Sequence, residues 1–344
     1  MRISYGPWGE TLDELLDAAR RAERAGAEVL WVEELHRSAT VQAAAVASVT
    51  ERAKIGTAIA LAFTRSPVIT ALEALDVDEI SGGRLLLGLG SGVQRLNEDW
   101  HNAVFGKPVA HVGETVRNIR EFWRTAPTGE PIDLAGEWEP MRIRGYQRPF
   151  PAARPAIPVY LAAMGPAMTR LAGAIGDGWI SHELCSTRYV AERILPELSA
   201  GVARTEGKKR EDVDVVVSAC CSVADDEATA MRRASGLVGF YASVRTYADF
   251  FAFHGLGEQQ QRVVDAFRSG KRADDLAAAV APEMVDALTL TGGRQHVAER
   301  ITRYEGLADT IKLSPPTQGL PPAETRSAQD ELIGLIAEIT GNAS

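Results

Sequence analysis

The chain has 344 residues and a formal net charge of −9, with 45% hydrophobic and 24% charged residues. This composition is typical of a globular protein, and the length allows one large α/β domain or two small ones. The negative charge excludes broad binding to a nucleic-acid backbone, which needs a basic face. The sequence shows neither a signal peptide nor an apolar run of about 18 residues that could cross a bilayer. We therefore predict a cytoplasmic protein that binds neither nucleic acid nor a membrane.

The three cysteines give no sign of a metal site or a disulfide framework. Cys220 and Cys221 are adjacent, and no pair among the three has the C-x-x-C spacing of zinc sites. We expect all three to be small buried hydrophobic residues, and no metal is predicted.

Strand-like runs alternate with helical patterns along the chain. The first helical pattern has Thr11 as a possible cap and ends at Gly26. The predicted helices cover residues 11–25, 41–49, 67–80, 114–123 and 167–174. The predicted strands cover residues 3–5, 29–32, 54–61, 85–89, 159–162, 178–181, 213–219 and 310–313.

Eight strands that alternate with helices predict a parallel sheet, and the number eight favours closure into a barrel. The predicted fold class is α/β, a (β/α)8 TIM barrel that forms a single domain over residues 1–344. Two insertions are predicted: an irregular one over residues 127–158, and a long, mostly helical one over residues 224–282 between strands seven and eight. An open doubly wound sheet is the alternative. However, GLGSGV lacks the G-x-G-x-x-G spacing and follows the fourth strand rather than the first.

The stretch LLLGLGSGVQRLNEDW, residues 85–100, ends an apolar run in a series of glycines and then turns polar. A glycine has no Cβ, so another group can approach its backbone closely. In a barrel this stretch would lie at the C-terminal end of strand four, where barrel enzymes place their active sites. The pattern predicts either a tight turn or a loop that a ligand approaches.

Two segments resemble the hallmarks of the luciferase-like monooxygenase superfamily: SGGRLLLGLGSG and YLAAMGPAMTRLAGAIGDGWISH. Within it, GTAIALAFTRSP, GSGVQRLNE and GFYASVRTYADFFAFHG are most similar to the branch that uses the deazaflavin coenzyme F-420. The resemblance covers nearly the whole chain and implies a barrel whose cofactor lies across the C-terminal ends of the strands. It also implies a homodimeric oxidoreductase that transfers a hydride between bound coenzyme F-420 and a small organic substrate.

The resemblance implies a cofactor ring and ribityl chain near two segments. Gly90, Ser91 and Gly92 would let the backbone approach the cofactor, and Asn97 resembles an amide of the family that binds a ribityl or phosphate oxygen. The bond between Ala58 and Ile59 matches a cis peptide that supports the ring system in the deazaflavin branch.

The cofactor phosphate is implied at the start of a helix after strand five. Gly165 would cap this helix and Pro166 would take its first position, where a missing N–H costs nothing. A helix N-terminus offers free N–H groups and a partial positive charge, which favours a phosphate. The residues implied here are Ala162, Ala163, Met164, Gly165, Pro166 and Ala167. The anionic tail beyond the phosphate could contact Arg65 or Lys107.

The match weakens where the sugar-phosphate dehydrogenases of this branch carry their catalytic groups. They have an acid followed at once by a histidine, whereas Glu34 is followed here by Leu35, and His36 comes one residue later. They also carry a carboxylate where this chain has Val93. The resemblance therefore does not imply their substrate, and it leaves the proton-transfer residue open.

Three side chains are candidates for catalysis. Glu34 and His182 end strands two and six, and His36 has a side chain that can titrate near neutral pH. A solvated loop histidine is the other interpretation of His36. Two other functions stay open: an FMN-dependent monooxygenase, and a flavin-binding barrel without catalytic activity.

Overall fold

A computed structural model describes residues 1–342. The strands of this part of the chain are β1 (Arg2–Tyr5), β2 (Val29–Val32), β3 (Lys54–Thr57), β4 (Ala60–Leu61), β5 (Leu85–Gly90), β6 (Ile132–Leu134), β7 (Met141–Ile143), β8 (Val159–Ala162), β9 (Gly178–Ile180), β10 (Asp214–Val223), β11 (Leu290–Gly292) and β12 (Thr310–Ser314).

Helices separate most of these strands, and a π-helical turn at Leu96–Trp100 follows β5. The α-helices are α1 (Leu12–Arg24), α2 (Ala39–Ala47), α3 (Pro67–Ile80), α4 (Pro108–Thr125), α5 (Pro166–Ile175), α6 (Thr187–Tyr189), α7 (Leu195–Val202), α8 (Glu227–Ser243), α9 (Ala248–Phe253), α10 (Gly257–Arg268), α11 (Pro282–Leu288), α12 (Arg294–Thr302) and α13 (Pro322–Ile339). No helix within residues 1–342 is long and apolar enough to cross a membrane.

The parallel sheet has the strand order β11-β10-β12-β1-β2-β3-β5-β8-β9, and β9 also pairs with β10. This last pairing closes eight strands into a ring, while β4 pairs only with β5 and β11 only with β10. The predicted (β/α)8 TIM barrel is therefore confirmed. Each of the eight predicted strands has a counterpart in the ring, and the ends of β2 and β8 are the predicted ones.

Several elements differ from the prediction. The third strand is broken into β3 and β4 by the peptide bond between Ala58 and Ile59, which is cis, as the resemblance implied. The insertion 127–158 contains an antiparallel hairpin of β6 and β7, so it is less irregular than predicted. Just beyond the predicted late insertion, β11 pairs with β10 in parallel. The sequence LTG has no strand pattern of its own, because it is short and has a glycine at its end.

Local capping explains where several helices begin. Thr11 accepts a hydrogen bond from the Glu14 N–H and caps α1, as predicted. Ser66 caps α3 in the same way, with Pro67 at the first helical position. Helix α4 begins six residues before its predicted start, at Pro108, because Pro108 starts this helix as Pro67 starts α3.

The described chain divides into two compact units: one of residues 1–30, 181–195 and 215 onward, the other of residues 31–180 and 196–214. In the first unit, strands β1, β12 and β10 pair in register, so that Lys312 lies between Ser4 and Ser218. In the second unit, the ring of Trp31 lies directly over Gly56, where a Cβ would come within 2.1 Å of it.

Candidate functional site

A bulge interrupts the second unit's sheet at the end of β3. The Ala58 N–H donates to the Val32 carbonyl at 2.7 Å, and the Glu34 N–H donates to the Ile59 carbonyl at 3.1 Å. The backbone on both sides of the cis peptide is therefore tied to the last residue of β2 and to the loop that follows it. Ala58 and Ile59 are half-buried, so the bulge lies near the surface of this unit.

Thr57 fixes the strand next to the bulge. Its hydroxyl donates to the Gly88 carbonyl at 2.7 Å and accepts from the Gly88 N–H at 2.8 Å. A Cβ on Gly88 would lie 1.8 Å from the Thr57 carbonyl oxygen. The first glycine of the series therefore serves the close approach of β3 and β5.

The glycines predicted to face the cofactor are in contact with protein side chains. A Cβ on Gly90 would meet the Ile59 side chain at 2.9 Å and the Ala162 Cβ at 3.3 Å. Gly92 has a φ of +61°, and a Cβ there would meet the Leu61 side chain at 2.6 Å. The predicted role of Gly90 and Gly92, to let the backbone approach the cofactor, needs correction. The missing side chains at these two positions make room for Ile59 and Leu61.

Asn97 is fully buried inside the loop that follows β5. Its side-chain Nδ2 donates to the backbone carbonyls of Ser91 at 2.7 Å and Val93 at 3.0 Å. The Ser91 hydroxyl in turn donates to the Gly92 carbonyl at 3.1 Å. Both Asn97 donors are thus used to shape the loop, which leaves none for a phosphate oxygen. The Oδ1 atom has no hydrogen-bond partner within residues 1–342 and could accept one from a ribityl hydroxyl.

The start of α5 is open, as a phosphate site requires. Gly165 is the N-cap, Pro166 follows it, and no side chain caps the helix. A Cβ on Gly165 would have no atom within 4 Å, and Gly165, Pro166 and Ala167 are exposed. The first-turn N–H groups of Ala167 and Met168 have no acceptor within the helix.

The residues before this helix differ in what they can offer a ligand. Ala163 is buried, and its carbonyl accepts a hydrogen bond from the Trp179 indole at 2.9 Å. Ala162 and Met164 are half-buried. Ala163 is therefore a structural residue, while Ala162 and Met164 remain predicted contacts.

Glu34 is held in an ion pair. Arg65 donates Nη1 to Glu34 Oε2 at 2.9 Å and Nη2 to Oε1, and the Leu61 N–H donates to Oε2 at 2.8 Å. Burial raises the pKa of the Glu34 carboxyl, but the hydrogen bonds from Arg65 and Leu61 outweigh it, so the pKa lies below its ordinary value.

Glu34 is thus ionised at neutral pH with both oxygens paired, which argues against its predicted role as a proton donor. The same ion pair corrects the prediction for Arg65, whose guanidinium is not free to contact an anionic tail. Lys107 remains a candidate for that contact: its Nζ is 3.8 Å from Glu137 Oε1, but the two side chains are 76% and 61% exposed, so this ion pair is weak.

Glu34 and His36 line one cavity of 310 Å³ in the second unit. His36 is exposed, which agrees with the interpretation of a solvated loop histidine. The structure thus brings these two predicted residues together, beside the bulge. The cavity is lined by Glu34, Leu35, His36, Arg37, Ser38, Leu61, Leu96 and His101.

His182 belongs to the first unit and lies among aromatic rings. The centroid of its ring is 4.7 Å from that of Phe250, 5.2 Å from that of Tyr247 and 5.6 Å from that of Tyr241. Burial, with a smaller contribution from His254, lowers the pKa of His182 to about 3. Its imidazole is therefore neutral at pH 7, and the predicted catalytic role cannot be that of an imidazolium acid.

The tautomer of His182 follows from the one hydrogen bond that its ring makes within the described residues. Nδ1 accepts from the Leu184 N–H at 3.2 Å, so the proton of the neutral ring is on Nε2. The Nε2 atom is buried and has no partner in the described chain. His182 can therefore donate one hydrogen bond to a ligand oxygen.

Sequence reasoning missed a charged pair in the first unit. Lys312 lies inside the strand TIKLS, is 4% exposed, and has its Nζ 3.4 Å from Glu183 Oε1. A lysine within an otherwise buried strand is the signal that could have found it, since buried lysines are rare unless they are paired.

The sequence matches the luciferase-like monooxygenase family over residues 2–310. A Mycobacterium tuberculosis protein with no assigned function is 29% identical, covering 86% of this chain and 88% of its own. A second M. tuberculosis protein, named as a coenzyme F-420-dependent oxidoreductase, is 28% identical over 90% and 92% of the two chains. The 5,10-methylenetetrahydromethanopterin reductase of Archaeoglobus fulgidus is 28% identical over 88% and 90%.

Solved structures agree on the fold. The coenzyme F-420-dependent tetrahydromethanopterin reductase of Methanopyrus kandleri superposes with a TM-score of 0.78 at 19% identity, covering 96% of this chain and 98% of its own. A Baeyer–Villiger monooxygenase component of Pseudomonas putida in complex with FMN gives a TM-score of 0.66 at 18% identity, with 98% of both chains covered. Enzymes with either cofactor thus share this barrel.

Proposed function

Because the chain belongs to the luciferase-like monooxygenase family, we propose that it is an oxidoreductase that binds coenzyme F-420 and exchanges a hydride with a small organic substrate. The observation that carries the proposal is the open, uncapped start of α5, directly after β8, in a chain whose relatives include a protein named as a coenzyme F-420-dependent oxidoreductase. When bound, this deazaflavin supplies a hydride carrier that reacts poorly with oxygen.

The residues of the second unit fit such a cofactor. The N–H groups of Ala167 and Met168 would hold its phosphate, because they have no acceptor in the helix and Gly165 leaves the approach open. The half-buried bulge at Ala58 and Ile59 offers an apolar surface for a ring system, and Gly90 lets the Ile59 side chain lie close against β5. The buried Oδ1 of Asn97 could accept a hydrogen bond from the ribityl chain.

Two side chains have proposed tasks in orienting the reactants. Glu34 positions the loop after β2 and the start of β4, because it receives hydrogen bonds from both Arg65 and the Leu61 N–H. His182 would donate a hydrogen bond from Nε2 to a ligand oxygen without carrying a charge. His36 remains a candidate only as a group at the exposed rim of the cavity.

The choice between coenzyme F-420 and FMN is decided by binding. We expect a lower dissociation constant for coenzyme F-420 than for FMN, measured for both by titration of ring fluorescence. We also expect substrate-dependent oxidation of the reduced deazaflavin without uptake of oxygen at an electrode. Tighter binding of FMN together with substrate-dependent oxygen uptake would replace the proposal by an FMN-dependent monooxygenase.

A flavin-binding barrel without catalytic activity predicts a third result. Such a protein would bind coenzyme F-420, but no compound would speed the reoxidation of the bound reduced cofactor. The homodimer also remains a prediction, and analytical ultracentrifugation at micromolar concentration would test it.

A further inference from the structure

The Asn97 segment, residues 91–103, follows β5 and is organised around the side chain of Asn97. The Asn97 N–H donates to the Val93 carbonyl at 3.2 Å, and the Asn97 carbonyl accepts from the Ala103 N–H at 3.0 Å. The side-chain Nδ2 donates to the carbonyls of Ser91 and Val93 at 2.7 and 3.0 Å. Because Asn97 is fully buried, the segment wraps round its own centre, as a compact surface loop does.

The hydrogen bonds and ion pairs that the Asn97 segment makes within residues 1–342 all join two of its own residues. Its exposed side chains pair with one another, Gln94 with Glu98 and Arg95 with Asp99. The segment is therefore held to the barrel by its two covalent ends and by packing. Moving it as one body breaks no hydrogen bond to the rest of the described chain, so it can open at a low free energy.

One side of the Asn97 segment faces the 310 Å³ cavity beside the bulge. Leu96 and His101 line this cavity from the segment, and Leu35 lines it from the loop after β2. Residues 96–100 form a π-helical turn, in which hydrogen bonds join residues five positions apart. The residues four and five positions after Leu96 therefore lie on its side of the turn. These residues are Trp100 and His101.

Trp100 is exposed to solvent although it lies on the cavity side of the turn. Its exposed fraction is 64%, and that of Leu35 in the cavity wall is 49%. Single exposed apolar side chains are ordinary, but a group of them at one cavity is typical of a ligand-binding surface. Trp100 has the larger apolar area of the two, so covering its ring with a ligand would contribute more to binding.

We propose that the Asn97 segment is a lid, and that Trp100 covers a planar ring bound in the cavity. This inference rests on the proposed function in taking that ring to belong to coenzyme F-420. An indole packs well against a flat ring, and the contact removes apolar surface of both from water. The hydrogen bonds around Asn97 keep the segment in one piece as it closes, so closure orders few additional groups.

An exposed tryptophan also suits a contact between two copies of the chain. Such a contact would cover Trp100 before the coenzyme binds, whereas a lid covers it only afterwards. The lid is favoured because Leu96 and His101, on the same side of the same turn, line the cavity. Trp100 therefore lies at the opening of the cavity, where a bound ring can reach it.

The test measures amide hydrogen exchange by mass spectrometry, in the free protein and with saturating coenzyme F-420. We expect residues 91–103 to exchange about threefold to tenfold more slowly when the coenzyme is bound. The exposed turn of residues 267–272 is the internal control and should not change. If ring fluorescence shows saturation while residues 91–103 exchange as in the free protein, the lid is overturned.

Variants assign the cover to Trp100. In Trp100→Ala, dissociation of the coenzyme in stopped-flow fluorescence should be about threefold to tenfold faster, and the slower exchange of residues 91–103 should disappear. Trp100→Phe should retain most of both effects, because phenylalanine keeps an aromatic ring. Val104→Ala is the matched control, since Val104 is 66% exposed and lies just outside the segment. Equal dissociation rates for the wild type and Trp100→Ala would overturn the role of Trp100.

Failure of the cofactor proposal looks different. Fluorescence would then detect no binding of coenzyme F-420, and FMN would serve as the ring. Slower exchange with FMN that Trp100→Ala abolishes would support the lid, and binding of neither ring would overturn both proposals. If the coenzyme binds, exchange ignores it, and Trp100→Ala turns a dimer into a monomer in analytical ultracentrifugation, Trp100 belongs to a subunit contact. Only the lid is wrong in that case.

Discussion

Arg65 donates both terminal nitrogens to the two carboxylate oxygens of Glu34. The residues are 31 positions apart, and the side chains are 18% and 10% exposed, respectively. The pair joins the loop after β2 to the loop before α3, while the Leu61 N–H adds β4 to the same carboxylate. Three segments around the bulge thus depend on one ion pair.

Replacing Arg65 by methionine should destabilise the protein strongly, because it leaves a largely buried carboxylate without its partner. We expect the free energy of unfolding to fall by about 3 kcal/mol. Urea denaturation measures the change, and the double variant with Glu34→Gln should lose less than the sum of the single variants. Arg95→Met is the control, since the Arg95–Asp99 pair is 86% and 60% exposed and should contribute little. Additive losses would contradict the coupling.

The same ion pair predicts a pH dependence. The pKa of Glu34 is lower in the folded state than its ordinary value, so its contribution is complete above pH ~4.5 and is lost as the pH falls through the folded pKa. The difference in unfolding free energy between the wild type and Glu34→Gln should therefore be constant near neutral pH and shrink below about pH 4.5. A difference that grows towards acid pH would show that the carboxyl is protonated in the folded state.

Gly88→Ala should be severely destabilising, because its Cβ would lie 1.8 Å from the Thr57 carbonyl oxygen. Overpacking against a backbone atom should cost about 3 kcal/mol or more. Gly113→Ala in α4 is the matched control. Its Cβ would meet only the Leu171 side chain, at 3.8 Å, and alanine is the better helix former. Denaturation of both variants should separate them clearly, and equal stability would refute the close approach of β3 and β5.

The sequence predicts well what depends on local patterns. Apolar runs predict both end residues of β2 and of β8 correctly. Thr11 and Pro166 mark the starts of two helices, and the structure confirms both. These features depend on neighbours within a few positions, which periodicity and capping residues record.

What the sequence could not predict depends on residues that are distant along the chain. Gly90 looks like an opening for a ligand, but Ile59 occupies the space above it, and nothing local to either residue shows that contact. The partner of Glu34 is likewise invisible without the fold. Lys312 and Glu183 are 129 positions apart, so their pairing follows only from the strand order.

His182 predicts a second pH dependence. Burial lowers its folded pKa to about 3, whereas the unfolded value is 6.5, so the unfolded state binds more protons between these pH values. The contribution of the neutral His182 to the free energy of unfolding is therefore complete above about pH 6.5 and is lost as the pH falls below that value. Between pH 7.5 and 5, the wild type should lose about 1–2 kcal/mol relative to His182→Phe, measured by urea denaturation.

The control for that experiment is His36→Gln, because His36 is exposed on a loop. The change in the free energy of unfolding between the two pH values should be the same for this variant as for the wild type. The pKa of His254 is also lowered by burial, so a residual slope is expected in His182→Phe. Parallel curves for the wild type and His182→Phe would mean that His182 is solvated or charged in the folded protein.

The last prediction places the cofactor phosphate at α5. Gly165→Val should obstruct the open N-terminus and weaken binding of coenzyme F-420 by about 1–3 kcal/mol, the loss of one or two charge-assisted hydrogen bonds. Gly293→Val is a matched control, because Gly293 also caps a helix, α12, with no atom within 4 Å of its Cβ position. Riboflavin, which has a ring and a ribityl chain but no phosphate, serves as the control ligand, and Gly165→Val should leave its affinity unchanged. Fluorescence titration measures each dissociation constant. Weaker coenzyme binding by Gly293→Val, with unchanged binding by Gly165→Val, would move the phosphate away from α5. An equal loss for riboflavin would mean that the valine disturbs the ring pocket instead.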